Sequence, residues 1–269
     1  MNKIFNLHFT DFCNFSCKCC YAKNDKNSLS IEEIEKIVKN ISSYLKANGI
    51  KDGRINIAGG EPTTSRNLQK IIDTIVSNGI KASLITNGIL LTEDFIRANK
   101  EKLTMIGLSI DSINEETNRL LGRCENSKRC FDYKRLTDIC RCIKECGIVL
   151  KINLVASKLN FNEDIKSLLD DVKPDRFKIL QMLPTTPFAK ENALSEDEFM
   201  QYAKKYEGYN PVTETQENIR KAYLIIDSSG FVTTNNQHCD KRHNALAESF
   251  CDILNDIDFD FESESMRYR

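Results

Sequence analysis

The sequence predicts an α/β protein, a partial (βα)6 barrel over residues 1–183 with a C-terminal α+β extension over 184–269. Three observations carry that prediction. Strand-like runs alternate with helical apolar spacing six times in succession. The connections are too long for hairpins, so parallel strands joined by right-handed crossover helices are the economical arrangement. The rhythm then breaks at Pro184-Thr185-Thr186-Pro187. Six units are two short of a closed eight-unit barrel, which makes the predicted barrel open or partial.

The elements follow in order. Residues 4–10 read as a strand that ends just before a cysteine-rich segment. Ile31, Ile34, Ile37, Val38, Ile41 and Leu45 form one helical face over residues 30–48, opened by a Ser30/Glu33 capping box. Residues 54–58 make a strand leading into Gly59-Gly60-Glu61-Pro62, then a helix over 65–78 and a strand over 81–86 closed by Asn87-Gly88. A helix near 92–100 precedes a strand over 103–110 and a short helix over 114–121. A helix over 133–146 feeds a strand over 148–156, and a helix over 161–171 feeds a strand over 176–183. In the extension, helices are expected over 195–207, 213–222 and 244–255, with a hairpin joining 223–226 to 231–234 across Ser228-Ser229-Gly230. The acidic alternation Asp256, Asp258, Asp260, Glu262, Glu264 reads as an edge strand or a solvated tail.

Composition narrows the function. Thirty-eight Lys and Arg against 39 Asp and Glu leave a formal charge of −1, too balanced for a protein that coats polymeric nucleic acid or an anionic membrane. A small phosphorylated ligand needs only a few convergent cations and stays open. No run approaches the roughly 20 apolar residues of a spanning helix, and no secretory signal opens the chain. The 11 cysteines are odd in number and crowded near the start, so a reducing cytoplasm with metal or thiol chemistry is expected.

Cys13, Cys17 and Cys20 have the spacing C-x3-C-x2-C on the loop after the first strand. Three thiolates this close can wrap one metal centre. A [4Fe–4S] cluster held by three cysteines keeps one iron open for a non-protein ligand. A zinc site would need a fourth ligand, such as His8 or Cys239, and three buried thiols are the bland reading. Cys19 is expected to point away. Other polar features collect at the carboxyl ends of the strands, where ligand sites of parallel sheets gather: Gly59-Gly60-Glu61-Pro62, Asn87, Ser109 and Asp111, Asn153, Gln181. The paired glycines would admit a ligand, and the Glu61 carboxylate would receive an ammonium group.

These motifs resemble the radical S-adenosylmethionine superfamily, with Tyr21 after the third cysteine also fitting. A closer resemblance, from about residue 4 to 234, is to the viperin-like nucleotide dehydratases. It runs through Asn6-Leu7-His8-Phe9-Thr10, Ser109-Ile110-Asp111-Ser112, Leu121-Gly122-Arg123, Lys151-Ile152-Asn153, Pro174-Asp175-Arg176-Phe177-Lys178 and Tyr223-Leu224-Ile225-Ile226. The resemblance implies a [4Fe–4S] cluster on Cys13, Cys17 and Cys20, with S-adenosylmethionine bound around Tyr21, Gly59, Gly60, Glu61, Asn87 and Ser109. It implies a nucleoside triphosphate (CTP, UTP or GTP) at Asn6, Lys151, Asn153 and Tyr223, its phosphates held by Arg54, Arg123, Arg176 and Lys178. Tyr223 joins the cysteines in the catalytic set. The family's reaction removes hydrogen from C4′ of the ribose and expels the 3′-hydroxyl as water, giving a 3′-deoxy-3′,4′-didehydro chain terminator used in antiviral defence. An electron-donating reductase, flavodoxin or ferredoxin is implied, and a monomer with no membrane attachment is expected.

Arg54 stands where relatives carry Lys, the vertebrate amphipathic N-terminal helix has no counterpart before Cys13, and the acidic end lacks the aromatic-basic ending of the vertebrate relative. The competing readings are a radical enzyme acting on a peptide or a deazapurine-type molecule, and a non-enzymatic iron–sulfur or zinc module. The first does not require Lys151, Arg176 and Lys178 to converge; the second leaves the edge-clustered polar residues without a shared purpose.

Overall fold

The structure is a computed structural model and describes residues 3–20, 27–125, 129–220, 223–234, 243–257 and 259. The six predicted units form in order: β1 (Lys3–His8), α1 (Ile31–Ala47), β2 (Gly53–Ala58), α2 (Leu68–Ser77), β3 (Lys81–Thr86), α3 (Glu93–Ala98), β4 (Leu103–Ser109), α4 (Glu115–Leu121), α5 (Tyr133–Glu145), β5 (Val149–Ala156), α6 (Lys166–Val172) and β6 (Arg176–Gln181). After them come α7 (Pro187–Asn192), α8 (Glu196–Lys204), β7 (Val212–Glu214), α9 (Gln216–Arg220), β8 (Leu224–Ile226), β9 (Phe231–Thr234), β10 (His243–Asn244) and α10 (Phe250–Asp256). Strands β1 to β6 are neighbours in sequence order and parallel, as the crossover argument requires. The later strands extend the same sheet at both edges. β7 pairs with β6 and β8 with β1, each parallel, while β9 and β10 continue antiparallel beyond β8.

Alternation along the strands separates two faces. Phe5, Leu7, Ile55, Ile57, Leu84, Ile106, Leu108, Ile152, Leu154, Phe177 and Ile179 are buried in one apolar cluster with Ile34, Val38, Ile71 and Ile143 of the helices. The intervening positions carry Asn6, Arg54, Asn56, Ser83, Lys151, Asn153, Arg176 and Lys178. The fold therefore sets a polar inner wall on strands whose backs supply the apolar contact. The Ser30/Glu33 capping box forms as expected, and α4 stops at Gly122, whose φ of 77° suits a residue without Cβ.

Where the elements depart from expectation, tertiary bonds are the reason. The helix expected over 161–171 begins only at Lys166. Before it, the Glu163 carboxylate accepts the hydroxyls of Ser112 and Thr117, and Ile165 N donates to the Tyr206 hydroxyl. The stretch expected as helix 213–222 divides into β7 and α9, because β6 offers a free edge and Gln216 N donates to the Gln181 side chain. Thr186 caps an unexpected α7 through Ala189 N. α10 starts at Phe250 rather than 244, behind the Ser249 cap. Asp258, Asp260, Glu262 and Glu264 lie outside the described residues. No helix among the described residues is long and apolar enough to cross a membrane.

Asn160, fully buried, ties the carboxyl ends of β4 and β5 together. It donates to Asp111 O and Val155 O at 2.8 and 2.9 Å and accepts from Ser157 N at 2.8 Å. Asn160→Ala orphans two carbonyls and an amide, and is expected to lower unfolding stability by about 2–4 kcal/mol, measured by denaturant titration.

Candidate functional site

The cysteine loop is held from two sides through its backbone. Gly60 N and Glu61 N, just past β2, donate to Thr10 O and Phe12 O at 2.6 and 2.7 Å. At the end of α4, Leu121 O and Gly122 O accept from Lys18 N and Ser16 N at 3.0 and 3.2 Å. The approach is closer than a side chain permits: a Cβ at Gly60 would lie 2.2 Å from Phe12 O, one at Gly122 2.2 Å from Ser16 O, and one at Gly59 2.4 Å from Thr10 O. The space that Gly59 and Gly60 leave at these positions is taken by the backbone of the cysteine loop.

The Glu61 side chain is engaged within the protein. Its side chain is 1% exposed and turned inward. One oxygen accepts from Thr63 N and from the hydroxyls of Thr63 and Thr86, and the other accepts from Asn87 N at 2.6 Å. Burial raises its pKa, opposed by these four bonds. A carboxylate so engaged ties the ends of β2 and β3 together and is not aimed at an external ammonium. Asn87 continues the brace: its amide donates to Asn14 of the cysteine loop at 2.8 Å, and Asn14 donates to Glu125 at 3.1 Å. Ser109 stands at the end of β4 beside Asn153. It lines a cleft with Phe15, Asn118, Arg123 and Phe131.

Cys13 and Cys20 are exposed and Cys17 half-buried. Burial pushes the Cys17 thiol up to about 11 and raises Cys13 as well, while the negative charge of the loop's other thiolates acts in the same direction on both. Cys19 is pushed up to about 12, chiefly by burial, and packs against Leu121, Met182 and Ala189. Among the described residues no three His, Cys, Asp or Glu side chains stand in an arrangement that grips a metal ion. Cys13, Cys17 and Cys20 share one loop and one electrostatic neighbourhood. As a donor set they suit a soft thiolate-ligated iron–sulfur centre, on a loop whose backbone is clamped at both ends. Tyr21 lies outside the described residues.

Arg123 falls with this loop and not with the other cations expected to hold phosphate. It pairs with buried Asp111 at 3.0 Å, donates to the Ser109 carbonyl and lies 6.0 Å from the centre of the Phe15 ring. Burial works against its charge, and Asp111 and the nearby cysteines hold the charge in place. Nothing in the sequence marked Asp111 as the partner of this guanidinium. It also gave no sign that Cys124 and Cys130 are joined in a disulfide next to it, their Cα atoms 4.4 Å apart, around a bridge between Glu125 and Arg129.

The remaining cations do converge. Lys151 sits opposite Arg176, and Asn153 opposite Lys178, in the β5–β6 register. Lys151 is buried, and its pKa falls well below the ordinary value, first through burial and then through the charges of Lys178, Arg54 and Arg176; Glu214 opposes the fall. Arg54 of β2 thus belongs to the same electrostatic group as the cations of β5 and β6. Arg176 Nη1 is buried without a hydrogen-bond acceptor among the described residues. Lys178 Nζ donates to Glu214 at 2.6 Å and to the Tyr223 hydroxyl at 3.2 Å. Asn6 lies further round, donating to Leu224 O and accepting from Asn56 at 2.8 Å, with Ser83 donating to Asn56 beyond it. Half-buried His8 follows Asn6 on this wall, and desolvation lowers its pKa to about 4, leaving it neutral at physiological pH. Sequence reasoning missed Glu214. The only available signal was a period-two pattern, Val212-Thr213-Glu214, following Pro211.

Residues 7–172 match the model of the Radical SAM superfamily. An S-adenosylmethionine-dependent nucleotide dehydratase of Flammeovirga pacifica is 34% identical over 238 residues, spanning 84% of this chain and 80% of the relative. One of Selenomonas ruminantium is 29% identical, spanning 98% of this chain and 97% of the relative. Among solved structures, Streptococcus suis SuiB bound to the precursor peptide SuiA superposes with a TM-score of 0.71 at 17% identity, over all of this chain and 67% of SuiB. At that identity the likeness concerns the fold.

Two substitutions test the clamp. Gly60→Ala is expected to displace the cysteine loop, lowering stability by roughly 1–3 kcal/mol and the iron bound after anaerobic reconstitution by at least half, read by calorimetry and iron analysis. Glu61→Gln turns an amide toward donors and is expected to cost roughly 1–3 kcal/mol at neutral pH. The stability that wild-type Glu61 contributes is full below its ordinary value of 4.5 and declines as pH rises through its raised native value. Denaturant titrations across that window should show the decline in the wild type and its loss in Glu61→Gln.

Proposed function

Because the chain belongs to the radical SAM superfamily and, within it, to the S-adenosylmethionine-dependent nucleotide dehydratases, we propose that it converts a nucleoside triphosphate to the 3′-deoxy-3′,4′-didehydro form. The observation that carries this reading is the inward group of Arg54, Lys151, Arg176 and Lys178 on strands of the barrel that also bears the cysteine loop. Buried Arg54, Lys151 and Lys178 and half-buried Arg176 repel one another on one wall, and an anionic ligand relieves that repulsion. A triphosphate supplies that charge; a peptide backbone does not, which sets this reading apart from a peptide-modifying one. We take residues 1–183 as the core that carries the cluster loop and 184–269 as an extension that contributes Tyr223 to the site.

In this reading Cys13, Cys17 and Cys20 hold a [4Fe–4S] cluster, and S-adenosylmethionine lies against the Gly59-Gly60-Glu61 segment, Asn87 and Ser109. Together, when bound, they supply a carbon-centred radical able to take hydrogen from an unactivated sugar carbon. The chain's own residues do the rest. Arg54, Lys151, Arg176 and Lys178 fix the phosphates, Arg in bidentate fashion and Lys as point charges. With the phosphates fixed, Asn6 and Asn153 orient the nucleoside, leaving C4′ in one place. Tyr223 holds a proton at its phenol oxygen, where the Lys178 ammonium donates a hydrogen bond. That bond stabilises the phenolate left when the proton, held against Glu214 before substrate binds, passes to the departing 3′-hydroxyl. Arg123 and Asp111 brace the cysteine loop. An electron-donating flavodoxin, ferredoxin or reductase, a monomeric chain, a cytoplasmic setting that keeps the three cysteines reduced, and a role in antiviral defence belong to the same reading.

The test is anaerobic turnover with reconstituted cluster and S-adenosylmethionine, offering CTP, UTP, GTP and ATP separately, each against its nucleoside. One triphosphate should yield a product lighter by one water, and its nucleoside should react poorly; equal efficiency for the two would overturn the phosphate assignment. Binding should also be proton-linked. The pKa of Lys151 is depressed in the free protein and recovers beside an anion, so binding takes up a proton in the window between the two values. Affinity is expected to fall by up to about tenfold per pH unit as pH rises through that window. Calorimetry in buffers of different ionisation enthalpy should record the uptake, and Lys151→Met should abolish it.

A further inference from the structure

Glu214 is the one group in the phosphate wall, among the described residues, whose charge opposes that use. It ends β7, opposite Leu180 of β6, and is 1% exposed. One of its oxygens accepts from Lys178 Nζ and the other from the Tyr223 hydroxyl, each at 2.6 Å, while Lys178 Nζ also donates to the Tyr223 oxygen at 3.2 Å. The three polar heads close a triangle, with the Lys178 ammonium 5.6 Å from the centre of the Tyr223 ring. The triangle joins β6 and β7, at one end of the strand order, to the residue before β8, third from the other end. A carboxylate at this place repels an incoming phosphate and competes with it for Lys178. A wall built for affinity alone would carry a neutral residue there.

We infer that Glu214 is a positioning residue, which weakens the hold on the phosphate chain and in doing so keeps the Lys178 ammonium and the Tyr223 hydroxyl in one fixed arrangement. The inference rests on the reading of the cation group as a phosphate site. Its chemistry is specific to a carboxylate, because only an acceptor with two equivalent oxygens takes a hydrogen bond from an ammonium on one side and from a phenol on the other. A glutamine at the same place presents one acceptor and one donor, so one of the two partners loses its bond.

The experiment compares wild type, Glu214→Gln, Tyr223→Phe and the double variant. Each is reconstituted with its cluster and S-adenosylmethionine and tested with the triphosphate that wild type accepts. Binding is measured by calorimetry, turnover by product formation, and coupling by the ratio of 5′-deoxyadenosine to dehydrated nucleotide. Glu214→Gln should bind the triphosphate about three- to tenfold more tightly, since a like charge has been removed. It should also turn over at least tenfold more slowly, with more 5′-deoxyadenosine released per product. Tyr223→Phe should show the same loss of turnover without the tighter binding, and the double variant should turn over no more slowly than either single variant. A merely structural role for Glu214 predicts weaker binding, so weaker or unchanged binding in Glu214→Gln would overturn the inference, as would unchanged turnover. If Glu214→Gln fails to fold, Tyr223→Phe decides: wild-type turnover in that variant would leave nothing to be positioned. A wild type that binds triphosphate and nucleoside equally would remove the phosphate reading and this inference together. A wild type that prefers the triphosphate while Glu214→Gln binds no tighter would remove the inference alone.

Discussion

The site depends on how closely backbone can approach backbone around residues 10–18. The carbonyls of Thr10 and Phe12 and the amides of Ser16 and Lys18 meet partners at the ends of β2 and α4 over distances that leave no space for a Cβ. Three cysteines in a short loop have many arrangements available to them, and ordering such a loop is entropically unfavourable. Clamping it by main-chain hydrogen bonds to two separate elements removes most of that freedom. The inward Glu61 carboxylate then locks the β2 end of the clamp to β3, so the loop inherits the rigidity of the sheet.

From that fixed loop the inner wall divides by charge. At the loop, Arg123 is neutralised by Asp111 and serves to hold Ser109 and the cysteine segment. Across β2, β5 and β6, Arg54, Lys151, Arg176 and Lys178 share a region where their mutual repulsion and burial depress the Lys151 pKa. The sheet tolerates this because its other face is continuously apolar and packed on the helices. Glu214 offsets part of the repulsion and links the cations to Tyr223. The disulfide between Cys124 and Cys130 flanks Glu125, whose carboxylate accepts a hydrogen bond from Asn14 of the cysteine loop.

Part of this was legible in the sequence, because it is encoded locally. Helical and strand periods gave six βα units, and period-two spacing put Arg176 and Lys178 on one face of β6. The C-x3-C-x2-C spacing marked the loop after β1, and Ser30 and Glu33 marked the start of α1. These signals survive because each needs only residues within a turn or two of one another.

Tertiary structure decided the rest, and the reason is the same in each case: a polar group's role is set by the partner that reaches it first. Gly59 and Gly60 announce a close approach, but only the fold shows that the cysteine loop is what approaches. Glu61 announces a carboxylate, but Thr63, Thr86 and Asn87 occupy it. Arg123 looked like one more phosphate ligand until Asp111, twelve residues earlier, was folded against it. Glu214 gained its importance only when the open edge of β6 captured residues 212–214 as a strand and β8 brought Tyr223 to the same place. The sequence by itself determined which faces would be apolar and which would carry charge. Which charges meet, and which are already spent on one another, was decided by strand order, since hydrogen bonds and Coulomb forces act over a few ångströms of space whatever the separation along the chain.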